Sequence, residues 1–125
     1  MPQRLFVYGT LRASQANPMA RLLRGHADLL GEGTTRARLH DLGEYPGAVA
    51  SPDAADRVHG DVFALREPHA DEVLAALDAY EGEAFERTEV EVALDSGAEV
   101  ACWTYLFTGS VEGRPRIASG DYLHP

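Results

Sequence analysis

Cysteine occurs once in this chain, at position 102. An internal disulfide is therefore impossible, a disulfide-held scaffold is excluded, and a reducing compartment is the expectation. Cations are scarce as well: 11 Lys and Arg stand against 20 Asp and Glu, a formal net charge of −9. So acidic a surface repels phosphate backbones and anionic lipid headgroups, which speaks against nucleic acid and membranes as partners and leaves a small molecule or a protein. Long apolar runs are missing too. Near the N-terminus only Leu5 to Val7 are consecutively apolar, too few for a signal peptide or a membrane span, so the cytoplasm is the expected location. The five histidines at 26, 40, 59, 69 and 124 have no short paired spacing, and one cysteine adds no second ligand, so no metal site is expected. Ser110 directly follows Gly109 and misses the nucleophile-elbow spacing, which leaves acyl-serine chemistry without support.

What is present suits one domain over residues 1–125. At 125 residues and 45% hydrophobic composition the chain can bury a sizeable core. Its 12 glycines and 7 prolines are scattered, as in a compact fold with many turns. No large apolar surface stripe is evident, so a monomer is expected.

Arg4 to Tyr8 reads as a buried strand stopping at Gly9. Asn17 before Pro18, with Met19, Leu22 and Leu23 at helical spacing and Gly25 beyond, predicts a short helix over 17–24. Strands are expected over 31–42 and 48–50 around a Gly43–Gly47 turn. Another is expected over 57–65, where Gly60 marks a bend or a close backbone approach. Pro68, the acids Asp71 and Glu72 and a closing Gly82 predict a helix over 69–81 with Val73, Leu74, Leu77 and Tyr80 on its apolar stripe. Thr88, Val90, Val92 and Leu94 alternate with polar residues, Asp95-Ser96-Gly97 makes a hairpin turn, and 98–107 is apolar on both parities, a central strand covered on both sides. Cys102 falls inside that run and reads as core. The tail from Thr108 onward looks irregular. About five or six strands with two short helices and no regular alternation argue against a doubly wound sheet. They predict an α+β fold: a small, mixed, barrel-like sheet with helices outside it.

Two features carry chemistry. Glu81 lies four residues after Leu77, on the core stripe and at a helix C-terminus. Lost hydration and the negative helix end both favour its protonated form, which suits a general acid/base. The competing reading is a frayed last turn with Glu81 in water. Tyr8-Gly9-Thr10-Leu11-Arg12 sets a glycine, backbone amides, a hydroxyl and an arginine together, a turn able to cradle a carboxylate, or else an ordinary strand-to-loop turn. It lacks the glycine repeat and Lys-Ser/Thr pair of a phosphate loop.

Leu5-Phe6-Val7-Tyr8-Gly9-Thr10-Leu11-Arg12, Tyr45-Pro46-Gly47, and Leu77-Asp78-Ala79-Tyr80-Glu81-Gly82 followed by Arg87 closely resemble the gamma-glutamylcyclotransferase-like family, in order and in spacing. Val58-His59-Gly60-Asp61-Val62-Phe63 and Ser119-Gly120-Asp121-Tyr122 extend the resemblance over nearly the whole chain. The resemblance implies a small β-barrel with helices alongside and a reaction in which a γ-glutamyl α-amine attacks its own γ-carbonyl, releasing 5-oxoproline and an amine or amino acid without a cofactor. It implies Glu81 as general acid/base and Tyr8, Gly9, Thr10 and Leu11 as the pocket for the glutamyl α-carboxylate and α-amine. Arg12 belongs to the same turn and contacts either ligand or a neighbouring acid. Tyr45 and Tyr105 line the pocket or pack, and Arg87 lies on the wet strand face or closes the pocket mouth. Leaving-group contacts are expected from Gly43–Gly47 and Gly109–Ile117. A binding or regulatory module that keeps the turn without turnover, or a related acyl-transfer enzyme, remains an alternative.

Overall fold

The computed structural model describes residues 3–125. Along the chain run β1 (Arg4–Val7), α1 (Pro18–Gly25), β2 (Ala27–Asp41), β3 (Pro46–Ala50), β4 (Arg57–Leu65), α2 (Ala70–Glu81), β5 (Phe85–Leu94) and β6 (Glu99–Phe107). The strands are ordered β3-β2-β4-β1-β6-β5, and β2 also pairs with β5, so β2, β4, β1, β6 and β5 close a five-stranded barrel with β3 attached to β2. All ladders are antiparallel except β1 with β6. The expected mixed barrel with two short helices is the fold.

β2 makes closure possible. It is 15 residues long and runs from β4 partners at Ala27–Arg36 to β3 partners at Ala37–Asp41, with Gly33–Thr35 shared between β4 and β5. The sequence reading began this strand at Gly31, whereas it begins at Ala27. The register shifts between Leu29 and Gly31. Gly31 therefore sits within a bulge, where a glycine at positive φ bends the strand, and does not bound it. Gly60 is a close approach, as expected: a Cβ there would strike the Val7 carbonyl oxygen and lie 2.7 Å from the Phe6 ring.

Alternation along β1 separates two cores. Phe6 and Tyr8 face into the barrel with Leu39, Val58, Val62, Val92 and Cys102. Leu5 and Val7 face outward onto Leu23 of α1 and Leu74 and Leu77 of α2. Full burial of a side chain such as Phe6, Phe63 or Leu77 is worth about 1.5–3 kcal/mol each, so these two layers fix the position of α2 on the barrel wall. β6 lies between β1 and β5 and is covered on both sides from Cys102 to Tyr105, while Glu99 and Ala101 are exposed. Cys102 is core, and burial pushes its thiol up to about 11.

Both helices have local causes. The Asn17 carboxamide oxygen accepts from the Ala20 amide at 2.9 Å and Pro18 opens α1. Asp71 and Glu72 occupy the first turn of α2, and Gly82, at φ 74°, ends it. The tail is irregular but tied down: Ile117 N–H donates to Leu39 O and His59 N–H to Gly120 O, both at 2.8 Å. Among the described residues no helix is long and apolar enough to cross a membrane.

Candidate active site

The turn after β1 is held from three directions. The Arg12 amide donates to Gly9 O at 3.2 Å, which closes the turn upon itself. The Asn17 carboxamide nitrogen donates to Thr10 O while its oxygen caps α1, so one side chain fastens turn and helix together. Gly9 lies against Pro46 of β3, whose Cγ would be 2.8 Å from any added Cβ. A larger residue at position 9 would push the turn off β3. The amides of Gly9, Thr10 and Leu11 have no protein acceptor among the described residues, which leaves donors free for an anion.

These residues open onto a cavity of about 380 Å³ at the barrel rim, a size suited to a small molecule. Tyr8, Gly9, Thr10, Leu11, Tyr45 and Glu81 all line it. Arg12 does not. Its side chain, 4% exposed, points away beneath the turn, donating to Glu32 at 3.1 Å, Asp121 at 3.0 Å and Asp61 at 3.4 Å. Asp61 also accepts from the Ala13 amide at 2.8 Å. Arg12 therefore rivets the turn to β2, β4 and the tail: of the two readings, ligand or neighbouring acid, the structure shows contact with acids. Four hydrogen bonds to three carboxylates engage most of the five donors of this buried guanidinium.

Glu81, the last residue of α2, is partly buried at the cavity wall. Burial raises its pKa to about 7. Tyr80 departs from the expected core stripe: it is 48% exposed and also lines the cavity. Tyr45 is 43% exposed, and its ring centroid lies 5.9 Å from that of Phe85, another lining residue.

Behind the cavity a network sets the remaining wall. The Tyr105 hydroxyl donates to Asp78 at 2.6 Å, and Asp78 accepts from Arg87 Nε at 2.9 Å and Nη2 at 3.2 Å. Arg87 stacks 4.6 Å above the Trp103 ring. It thus lies on the outer strand face and clamps β5 to α2, away from the cavity mouth. Burial, then the Asp78 contact, pushes the Tyr105 hydroxyl well above the usual phenol range, so it remains a neutral donor. The Gly43–Gly47 loop, expected to meet the leaving group, supplies Glu44, Tyr45 and Pro46, whereas no residue of Gly109–Ile117 lines the cavity. Tyr80 and Phe85 are lining residues that the sequence did not single out: Tyr80 is signalled only by its place beside Glu81, and Phe85 by nothing.

A closed barrel with a rim cavity lined by a free-amide turn and a glutamate is the arrangement. Residues 5–124 match the gamma-glutamyl cyclotransferase, AIG2-like family. The chain belongs to that family. It is 34% identical over 121 residues to the gamma-glutamylcyclotransferase family protein YtfP of Escherichia coli K12, covering 96% of each chain. The solution structure of E. coli YtfP superimposes with a TM-score of 0.68 over 98% of this chain and 97% of that one. A bovine gamma-glutamylaminecyclotransferase is 31% identical over 81% of this chain and 63% of its own length. The crystal structure of Bacillus subtilis YkqA, at 25% identity, gives a TM-score of 0.76 over 98% of this chain, which corresponds to 40% of that longer protein.

Proposed function

We propose that this protein is a γ-glutamyl cyclotransferase in which Glu81 is the general acid/base and the Tyr8–Leu11 turn holds the glutamyl end of the substrate. The observation carrying this reading is the meeting, in one cavity, of a carboxylate raised to about 7 with a turn whose amides lack acceptors. The amides of Gly9, Thr10 and Leu11 bind the α-carboxylate, which presents the α-ammonium to Glu81. Glu81 takes one proton, the freed nitrogen attacks the γ-carbonyl carbon, and a five-membered lactam ring forms. The bond from that carbon to the departing nitrogen then breaks as Glu81 returns the proton to it, and the second proton of the ring nitrogen passes to the same amine, which leaves as an ammonium. The products are 5-oxoproline and a free amine, with no water consumed. A pKa near neutrality suits both proton transfers. Holding the substrate in its ring-closing rotamer supplies the proximity effect.

The test is 5-oxoproline release from γ-glutamyl amino acids, γ-glutamyl amines and γ-glutamyl-ε-lysine, with Glu81→Gln protein alongside. Release by wild type and none by Glu81→Gln, which still binds and folds, is expected. Activity retained in Glu81→Gln would remove Glu81 from the chemistry. No release by wild type, with a γ-glutamyl ligand still raising its Tm, would point to a binding module.

A further inference from the structure

The lining residues of the cavity differ sharply in exposure, and the difference gives the substrate a direction. Tyr8, Gly9, Leu11 and Tyr105 are buried, whereas Glu44, Tyr45 and Tyr80 are exposed. With the glutamyl end on the turn, the leaving amine extends outward past Glu81 to a mouth made of two phenol rings and one carboxylate. Every cation of the chain is an arginine, and none lines the cavity. The nearer ones are engaged elsewhere: Arg12 with three carboxylates, Arg87 with Asp78 and Trp103, Arg24 with the carbonyls of Ala13 and Gln15, and Arg114 with the carbonyl of Leu42. Glu44 makes no ion pair among the described residues.

The geometry points to a cation at this mouth. Resting on the cyclotransferase reading, the inference is that the amine released carries a second, protonated amino group and no carboxylate, as in a diamine or polyamine, with Glu44 as the residue that selects it. The ammonium would sit between the Glu44 carboxylate and the faces of Tyr45 and Tyr80, where ionic and cation–π attraction act together. A leaving group with a free carboxylate would meet Glu44 and Glu81 with no cation to offset either, and like charges at such range disfavour binding.

Three substrates differing only at the far end test this: the γ-L-glutamyl amides of 1,4-diaminobutane, n-pentylamine and 5-aminopentanoate, which end in ammonium, methyl and carboxylate. Wild-type kcat/KM should fall in that order, with about a threefold to tenfold preference for ammonium over methyl, the size expected for one partly exposed ionic and cation–π contact. In Glu44→Gln the ammonium-to-methyl ratio should shrink towards one, and in Glu44→Lys the carboxylate substrate should overtake the ammonium one. Equal rates for the three in wild type, or the wild-type ratio persisting in both variants, would overturn the assignment while leaving the cyclotransferase reading standing. No 5-oxoproline from any of the three, nor from γ-glutamyl amino acids, would defeat that reading and this inference with it.

Discussion

The Tyr8 hydroxyl, just past the end of β1, donates to the Tyr105 carbonyl oxygen of β6 at 2.6 Å, and its own oxygen accepts from the Ala48 amide of β3 at 3.1 Å. Three strands therefore meet on one phenol directly beneath the turn. Burial raises its pKa well above the ordinary phenol value, so it stays neutral and holds these strands in place. Tyr8→Phe removes both bonds and leaves a buried amide without its acceptor. Such a loss costs about 1–3 kcal/mol, and chemical denaturation should show a lowered midpoint. An unchanged midpoint would mean that water replaces the phenol at no cost.

Glu81 links activity and stability to pH in opposite directions. Its pKa rises from 4.5 in the unfolded chain to about 7 in the fold. Between those values the folded state binds more proton than the unfolded one, so stability falls as pH rises from about 4.5 to 7 and levels off above. The full effect is on the order of 1–3 kcal/mol, since the carboxylate is only partly buried and water screens it. Glu81→Gln should flatten that slope and be the more stable protein at pH 8, as followed by Tm across pH. The wild-type kcat/KM, by contrast, should rise with pH through about 7 as Glu81 becomes a base. A pH profile with no inflection in that region would argue against its role.

Arg12 should behave as a rivet. Arg12→Gln leaves Asp61, with a side chain 8% exposed, buried without its cation. Breaking a buried ion pair from one side costs about 3–5 kcal/mol. Asp121, with a side chain 19% exposed, has more access to water, so Asp121→Asn should cost roughly 1 kcal/mol. Urea unfolding of both variants checks the order, and a larger loss for Asp121→Asn would reverse the account of which contact anchors the turn.

Several elements were legible because their signals are local. β4 was read with its observed bounds, and both helices to within a residue at each end, because a cap, a first-turn proline or acid and a closing glycine lie next to the periodic residues they delimit. β5 was read three residues short, from Thr88. Phe85, Glu86 and Arg87 do not alternate cleanly, and their pairing with Phe107, Leu106 and Tyr105 is what makes them strand. At Tyr80 periodicity misled, since a stripe tells which side of a helix a residue occupies but not whether wall or solvent lies opposite it.

Patterns within a few turns or one strand were enough for the barrel class, the positions of the helices and the buried state of Cys102, and they left Glu81 between the core side of α2 and a frayed turn in water. Long-range packing set Glu81 in the cavity wall and turned Arg12 beneath the loop towards Asp61, Glu32 and Asp121, positions 20 to 109 residues away. It alone brought Glu44, Tyr80 and Phe85 to the same cavity. Partners of a long side chain and the walls of a cavity come from strand order and barrel closure, and those are set by packing between distant segments, which no local pattern encodes.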